Sequence, residues 1–171
     1  AHFMGSTVLI RIAEVGLFAG ILLHIVQGYL LTLQNQKARS VGYAVAYKDG
    51  SKWYSRSMGL LGSLLLIFLV IHLSHFWIDT KAALYVTGQE ENLYLQMKEV
   101  FQHLWIVIVY EVGVIALCWH LIHGFSSAFQ TMGVNSPKYN PMIKSAGNVY
   151  SIIICLAFAM MPLAFFFGWI Q

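Results

Sequence analysis

Long apolar stretches, separated by shorter polar connections, dominate this chain. They cover about residues 7–34, 57–78, 100–130 and 147–170, and each contains a block long enough to cross a bilayer, which takes roughly 20 helical residues. None shows the strict polar–apolar alternation of a membrane barrel strand. Because lipid offers the backbone no hydrogen-bond partners, a spanning segment must be a helix or part of a closed barrel. The pattern therefore predicts an all-α integral membrane helix bundle, a single domain with four visible transmembrane helices.

The charges are few and lie in the connections. Only 10% of the residues are charged, against about 25% in a soluble domain. Connection 35–56 has five basic residues and one acid, connection 131–146 has two basic residues and no acid, and connection 79–99 has four acids and two basic residues. The positive-inside rule then predicts that 35–56 and 131–146 are cytoplasmic. The net charge of +3 reflects this topology, and no basic–aromatic pattern indicates nucleic-acid binding.

Three of the apolar stretches carry a histidine in their interior. They are His24 in GILLHIVQG, His72 in FLVIHLSHF and His123 in ALCWHLIHG. Since a histidine inside a membrane span is costly, it is a functional-site hypothesis by default. One histidine on each of several helices is typical of axial ligands to haem held between helices. The alternative for each is a hydrogen bond between helices.

The depth of each histidine indicates which of them can share a haem. At about 1.5 Å per residue, His24 lies about 20 Å before Lys37, and His123 lies about 15 Å before Gly133, a glycine that predicts the end of its helix. Both histidines then lie in the cytoplasmic half of the membrane. The sequence therefore predicts that His24 and His123 bind one haem.

The remaining histidines of the spans lie near a second level or beside a stronger candidate. His72 lies about 24 Å beyond Arg56, in the outer half of the membrane. His75 and His120 are each three residues from a predicted ligand, and they are expected to contact a haem propionate, a quinone or a neighbouring helix. Zinc is disfavoured because it prefers four ligands at one point, whereas these histidines divide between two depths.

A quinone site needs an apolar slot with a few polar groups and a route for protons. Near the outer end of the third span, the candidates are Glu111, Tyr110, His103 and Trp105. For Glu111 the alternative is an interhelical hydrogen bond. The two cysteines, Cys118 and Cys155, are expected to be small core residues, and the chain has no CxxC or CxxCH motif for an iron–sulfur cluster or covalent haem.

Three segments of the chain resemble a known family. They are LLHIVQG, WYSRSMGLLGSLLLIFLVIHLSHFW and HLIHGFSSAFQTMGVNSPKYNPMIK. They are similar to the di-haem cytochrome b membrane anchor of succinate dehydrogenase and fumarate reductase, in its single-subunit five-helix form. The resemblance covers essentially the whole chain, and it implies that His24 and His123 bind one haem b and that His72 binds the other. It also implies a first helix with a further ligand, which the given sequence lacks; AHFMGS resembles the loop after that helix.

The resemblance implies a function in electron transfer. The chain would anchor a flavoprotein subunit and an iron–sulfur subunit to the bacterial inner membrane, and it would conduct electrons between them and a quinone, menaquinone in this type of anchor. The dicarboxylate chemistry would belong to the partner subunit, and the complex could form a homo-oligomer. Two alternatives remain open: the cytochrome b anchor of a hydrogenase or formate dehydrogenase, and a haem-free transporter or assembly protein.

Overall fold

The computed structural model describes residues 7–38, 56–88 and 91–170, and these residues form helices and no strand. Four helices are long and apolar enough to cross a membrane. The predicted all-α membrane bundle is therefore confirmed, and the chain is a membrane-embedded protein. In chain order, the elements are α1 (Val8–Lys37), α2 (from Met58), α3 (Leu93–Val100), α4 (Leu104–Thr131) and α5 (Asn140–Phe166). Connection 35–56, predicted to be cytoplasmic, lies mostly outside the described residues.

The second helix is long and changes its winding. It is α-helical over Met58–His72, π-helical over Leu73–Ile78, α-helical over Asp79–Ala82 and π-helical over Ala83–Thr87; all four segments together are called α2. The helix therefore runs well past residue 78, where the predicted span ends, because the residues after Lys81 are again apolar. A π-helical stretch accommodates an extra residue in the turn and is frequent at functional sites.

The ends of the other long helices follow local signals. At the end of α4, Gly133 adopts a φ of 83°, and the Val134 N–H donates to the Phe129 carbonyl at 2.9 Å. This left-handed cap is the helix end that the glycine predicts. Helix α5 begins at Asn140 rather than near residue 147, with Pro141 in its first turn. Proline is favoured there because the first turn leaves its N–H groups unpaired.

The best-buried part of the bundle joins α3, α4 and α5. Phe101, Ile106, Val107 and Tyr110 form its buried cluster, and side chains from α2, α3 and α5 pack against them. Connection 79–99 leads into the short α3, whose first N–H groups are capped by the Asn92 side chain. Residues 89–90 of this connection lie outside the described residues.

Helix α1 is the most exposed helix and has no buried residue. Two sets of polar contacts fasten it to α2. Near its start, the Glu14 carboxylate accepts from Lys81 Nζ at 2.7 Å and from Trp77 Nε1. Nearer its end, Tyr29 Oη and Ser63 Oγ share a hydrogen bond of 2.8 Å. These contacts fix how α1 faces the rest of the bundle.

Removing the Glu14–Lys81 ion pair should loosen this attachment. Its side chains are 23% and 19% exposed, so a Lys81→Met variant is expected to lose about 1 kcal/mol of stability, the upper end for accessible pairs. Thermal unfolding of the purified protein in detergent measures this, with Lys98→Met on exposed α3 as the control. The charge-swapped double variant Glu14→Lys, Lys81→Glu should recover part of the loss. If Lys81→Met lowered stability as much in a Glu14→Gln background as in the unmodified protein, the pairing would be contradicted.

Candidate functional site

A cavity of 430 Å³ lies between α1, α2 and α4. This space, the histidine cavity, has a predominantly apolar lining that includes His24, Gly28, Gly59, Gly62, Leu117 and His120. Its volume is in the range of cofactor and ligand sites. Among the described residues that line it, His24 and His120 are the histidines. One comes from α1 and the other from α4, so the cavity has an imidazole on two different helices.

The rings of His24 and His120 face each other. Their centroids are 5.8 Å apart and their planes are 85° apart. Each histidine lies sixteen residues after the first residue of its helix, Val8 or Leu104, so the two rings are at equal helical height. The two imidazoles are therefore close enough to contact the same cofactor.

The His120 ring has an unsatisfied atom. Its Nδ1 is buried, and none of the described residues forms a hydrogen bond with it. An unpaired polar atom costs several kcal/mol in a medium without water, so this nitrogen calls for a partner such as a cofactor. The neighbouring helix α2 approaches the ring closely at Gly62, where an added Cβ would be in van der Waals contact with His120 Cε1, at 4.0 Å.

His123, the ligand predicted from the sequence, lies one helical turn beyond His120 on α4. It is partly buried, its backbone carbonyl accepts from Ser126 Oγ at 3.2 Å, and it is not among the residues that line the cavity. The ring contact of His24 is therefore with His120, which the sequence placed only in the vicinity of a cofactor. His120 is level with His24 only when counted from the observed helix starts, Val8 and Leu104; the predicted span starts, 7 and 100, do not give this equality.

A second cluster of rings forms where α2 becomes π-helical. His75 Nδ1 and Tyr110 Oη are 3.0 Å apart, and their rings stack at an interplanar angle of 12°. The His72 ring centroid lies 6.0 Å from that of Tyr110 and 5.4 Å from that of Phe76. Gln96 on α3 donates its amide to the His75 carbonyl at 2.8 Å. The structure thus brings His72, His75 and Tyr110 together, although they were predicted as separate candidates.

A polar cleft of 800 Å³ lies beside this cluster. Its lining includes His75, Asp79, Gln96, Glu99 and His103, so His75 contacts both the cleft and the buried Tyr110. The other predicted quinone-site residues lie differently. Trp105 is 63% exposed, and neither it nor Glu111 is among the cleft residues.

Glu111 has its own unsatisfied atom, since its Oε1 is buried with no hydrogen-bond partner among the described residues. The alternative for Glu111 was an interhelical hydrogen bond. Among the described residues, this oxygen forms none. The predicted quinone-site residues therefore do not form one group: Tyr110 is hydrogen-bonded to His75, and His103 lines the same cleft as His75.

Comparison with known proteins adds no relative: no protein-family model, no curated protein and no solved structure matches this chain. The residues of the histidine cavity and of the neighbouring cluster are therefore the structural features that bear on function.

Proposed function

We propose that this chain is the membrane anchor and b-type cytochrome of a succinate dehydrogenase or fumarate reductase, carrying electrons between an iron–sulfur subunit and a quinone. The observation that carries the proposal is the pair of facing imidazoles, His24 and His120, in a glycine-lined cavity between membrane helices. The sequence resemblance supports the choice of succinate and fumarate as substrates of the complex.

The residues of the histidine cavity fit a haem. His24 and His120 would hold the haem, since imidazoles on separate helices can bind its iron, and His120 has a buried nitrogen in need of a partner. At Gly28, which also lines the cavity, a Cβ would meet no atom within 4 Å. A haem bound there would supply a one-electron redox centre inside the membrane.

The apolar lining controls the environment of the two imidazoles. Leu65, Leu69 and Leu117 line the cavity, so an apolar surface surrounds His120, whereas His24 is exposed on α1. Toward the end of α1, the helices close on each other: a Cβ at Gly59 would lie 3.0 Å from Thr32 Cγ2. This close approach limits the width of the cavity at that end.

The second level of the proposed site consists of His72, His75 and Tyr110. The sequence resemblance assigns His72 to a second haem b, and among the described residues its ring neighbours are aromatic side chains and not an opposing histidine. The described residues around His72 thus offer no second imidazole for a haem at this level. His75 Nδ1 and Tyr110 Oη are hydrogen-bonded at 3.0 Å, next to the polar cleft. We place the quinone, a menaquinone by the resemblance, near this pair.

The proposal also includes sidedness and partners. The basic connections 35–56 and 131–146 would face the cytoplasm of a bacterium, because positive loops remain on that side of the inner membrane. The flavoprotein and iron–sulfur subunits would dock there. The histidine cavity lies toward the same end of the bundle, since its lining extends to Thr32 and Met58.

Purification of the complete protein from its native membranes, through a tag on this chain, tests the proposal. We expect a b-type pyridine haemochrome spectrum, a co-purifying flavoprotein and iron–sulfur subunit, and reduction of the haem by succinate but not by hydrogen or formate. Reduction by hydrogen or formate instead would identify the anchor of another oxidoreductase. A preparation without haem would refute the role in electron transfer and leave the transporter or assembly alternative.

A further inference from the structure

Helices α4 and α5 meet along a face of small residues. On α5, Gly147, Ser151 and Cys155 recur at every fourth position, and all three are buried. The Ser151 hydroxyl donates to the Gly147 carbonyl at 2.7 Å, so it needs no polar partner on α4. A Cβ at Gly147 would lie 2.6 Å from the Phe125 ring. The two backbones therefore approach closely here, as small residues permit between membrane helices.

The contact between Gly147 and Phe125 fixes the register of the two helices. Because consecutive helices joined by a short connection run antiparallel, eight residues forward along α5 correspond to about eight residues back along α4. This places Cys155 opposite Cys118, which lies seven residues before Phe125 and so on the same face of α4. The structure agrees with this register, since Cys118 is a neighbour of the Cys155 thiol. Neither cysteine is in a disulfide.

We propose that Cys118 and Cys155 are a hydroperoxide-sensitive thiol pair that oxidation converts into a disulfide between α4 and α5. Their positions along the closely packed α4 and α5 make the two side chains neighbours, as a disulfide requires. Cys118 is the partly accessible member and Cys155 is buried, so Cys118 reacts first and Cys155 completes the bond. This proposal does not depend on the haem or on the proposed electron transfer.

The chemistry balances in two steps. The Cys118 sulfur attacks one oxygen of a hydroperoxide, and the O–O bond breaks. Cys118 becomes a sulfenic acid. The other oxygen takes up the thiol proton and leaves as water, or as an alcohol when the reagent is a lipid hydroperoxide. The Cys155 sulfur then displaces the hydroxyl group from the sulfenic acid. A disulfide forms, and the leaving hydroxyl combines with the Cys155 proton as water. Two electrons pass from the two sulfurs to the peroxide, and no net charge remains in the bilayer.

Peroxide treatment of the complete protein in lipid nanodiscs tests the proposal. Hydrogen peroxide and the apolar cumene hydroperoxide are added in parallel until Met160 and Met161, which are about half exposed on α5, are oxidised to sulfoxides. We expect mass spectrometry to detect a peptide pair joined through Cys118 and Cys155, with loss of both alkylatable thiols. If both reagents form the disulfide, peroxide from the aqueous phase reaches the thiols. If only cumene hydroperoxide forms it, the oxidant of the pair is a hydroperoxide in the lipid.

Two variants separate this chemistry from general oxidation. Cys155→Ser should form no disulfide and should leave a Cys118 sulfenic acid that dimedone traps, because the second thiol is missing. Cys118→Ser should leave Cys155 reduced at the same dose. The proposal is overturned if both thiols can still be alkylated after the methionines are oxidised. It is equally overturned if Cys118 is oxidised in the unmodified protein and no disulfide with Cys155 follows.

Discussion

Replacing His24 or His120 with alanine should remove the haem from the histidine cavity. Each substitution deletes one of the two facing imidazoles, and an iron held by a single imidazole is bound far more weakly. Since even the loss of a group that only supports a ligand costs about 10–100-fold in affinity, we expect at least about a tenfold loss of haem from this cavity. Pyridine haemochrome analysis of the purified protein, with a reduced-minus-oxidised spectrum, measures it.

The matched control is His123→Ala, which removes an imidazole from the same helix one turn away. If His120 is the ligand, as its place in the cavity indicates, this variant should retain the haem. A His120→Met variant should also retain it with an altered spectrum, because a thioether can replace an axial imidazole. Loss of haem in His123→Ala combined with full haem in His120→Ala would instead support the pair predicted from the sequence. Full haem in all the alanine variants would refute the assignment of the cavity.

The choice between His120 and His123 shows what hydropathy alone can resolve. Both histidines lie in one apolar stretch, three residues apart, and that separation is only about 4.5 Å of helix. A depth measured from predicted ends carries a larger error, since α5 begins at Asn140 and α2 continues past residue 78. The helices themselves were predictable because lipid requires long apolar segments. The identity of the facing ring depends on how α1 and α4 are rotated, which the sequence pattern leaves open.

The cluster at the polar cleft was predictable only in part. Tyr110 and His103 were candidates because a quinone site needs a few polar groups beside an apolar slot, and His75 was expected to contact a haem propionate, a quinone or a neighbouring helix. The contact between His75 and Tyr110 depends on the π-helical stretch Leu73–Ile78, which no hydrophobic period indicates. It also depends on Gln96, which reaches the His75 carbonyl from a separate surface helix. Such tertiary contacts arise from the packing of three elements and have no local signal.

Substitution of Gly113 should have the largest effect on stability, because this glycine permits the closest contact between α2 and α4. A Cβ at Gly113 would lie 2.5 Å from Phe68 Cδ2 and 2.6 Å from Cγ, which is far inside van der Waals contact. The Phe68 ring also lines the histidine cavity and lies 5.1 Å from the Tyr110 ring. A side chain at Gly113 must therefore displace this ring or separate the two helices.

We expect Gly113→Ala to lower stability by about 2–3 kcal/mol, the usual cost of overpacking a tight core, and to lower haem occupancy if the Phe68 ring moves into the cavity. Thermal unfolding in detergent and the haem-to-protein ratio measure the two effects. Gly124→Ala is the matched control on the same helix, since nothing lies within 4 Å of a Cβ there. Adding Phe68→Leu to Gly113→Ala should recover part of the lost stability, because a smaller side chain makes room for the new methyl group. Equal unfolding temperatures for Gly113→Ala and Gly124→Ala would contradict the close contact and, with it, the placement of α2 against α4 that shapes the cavity.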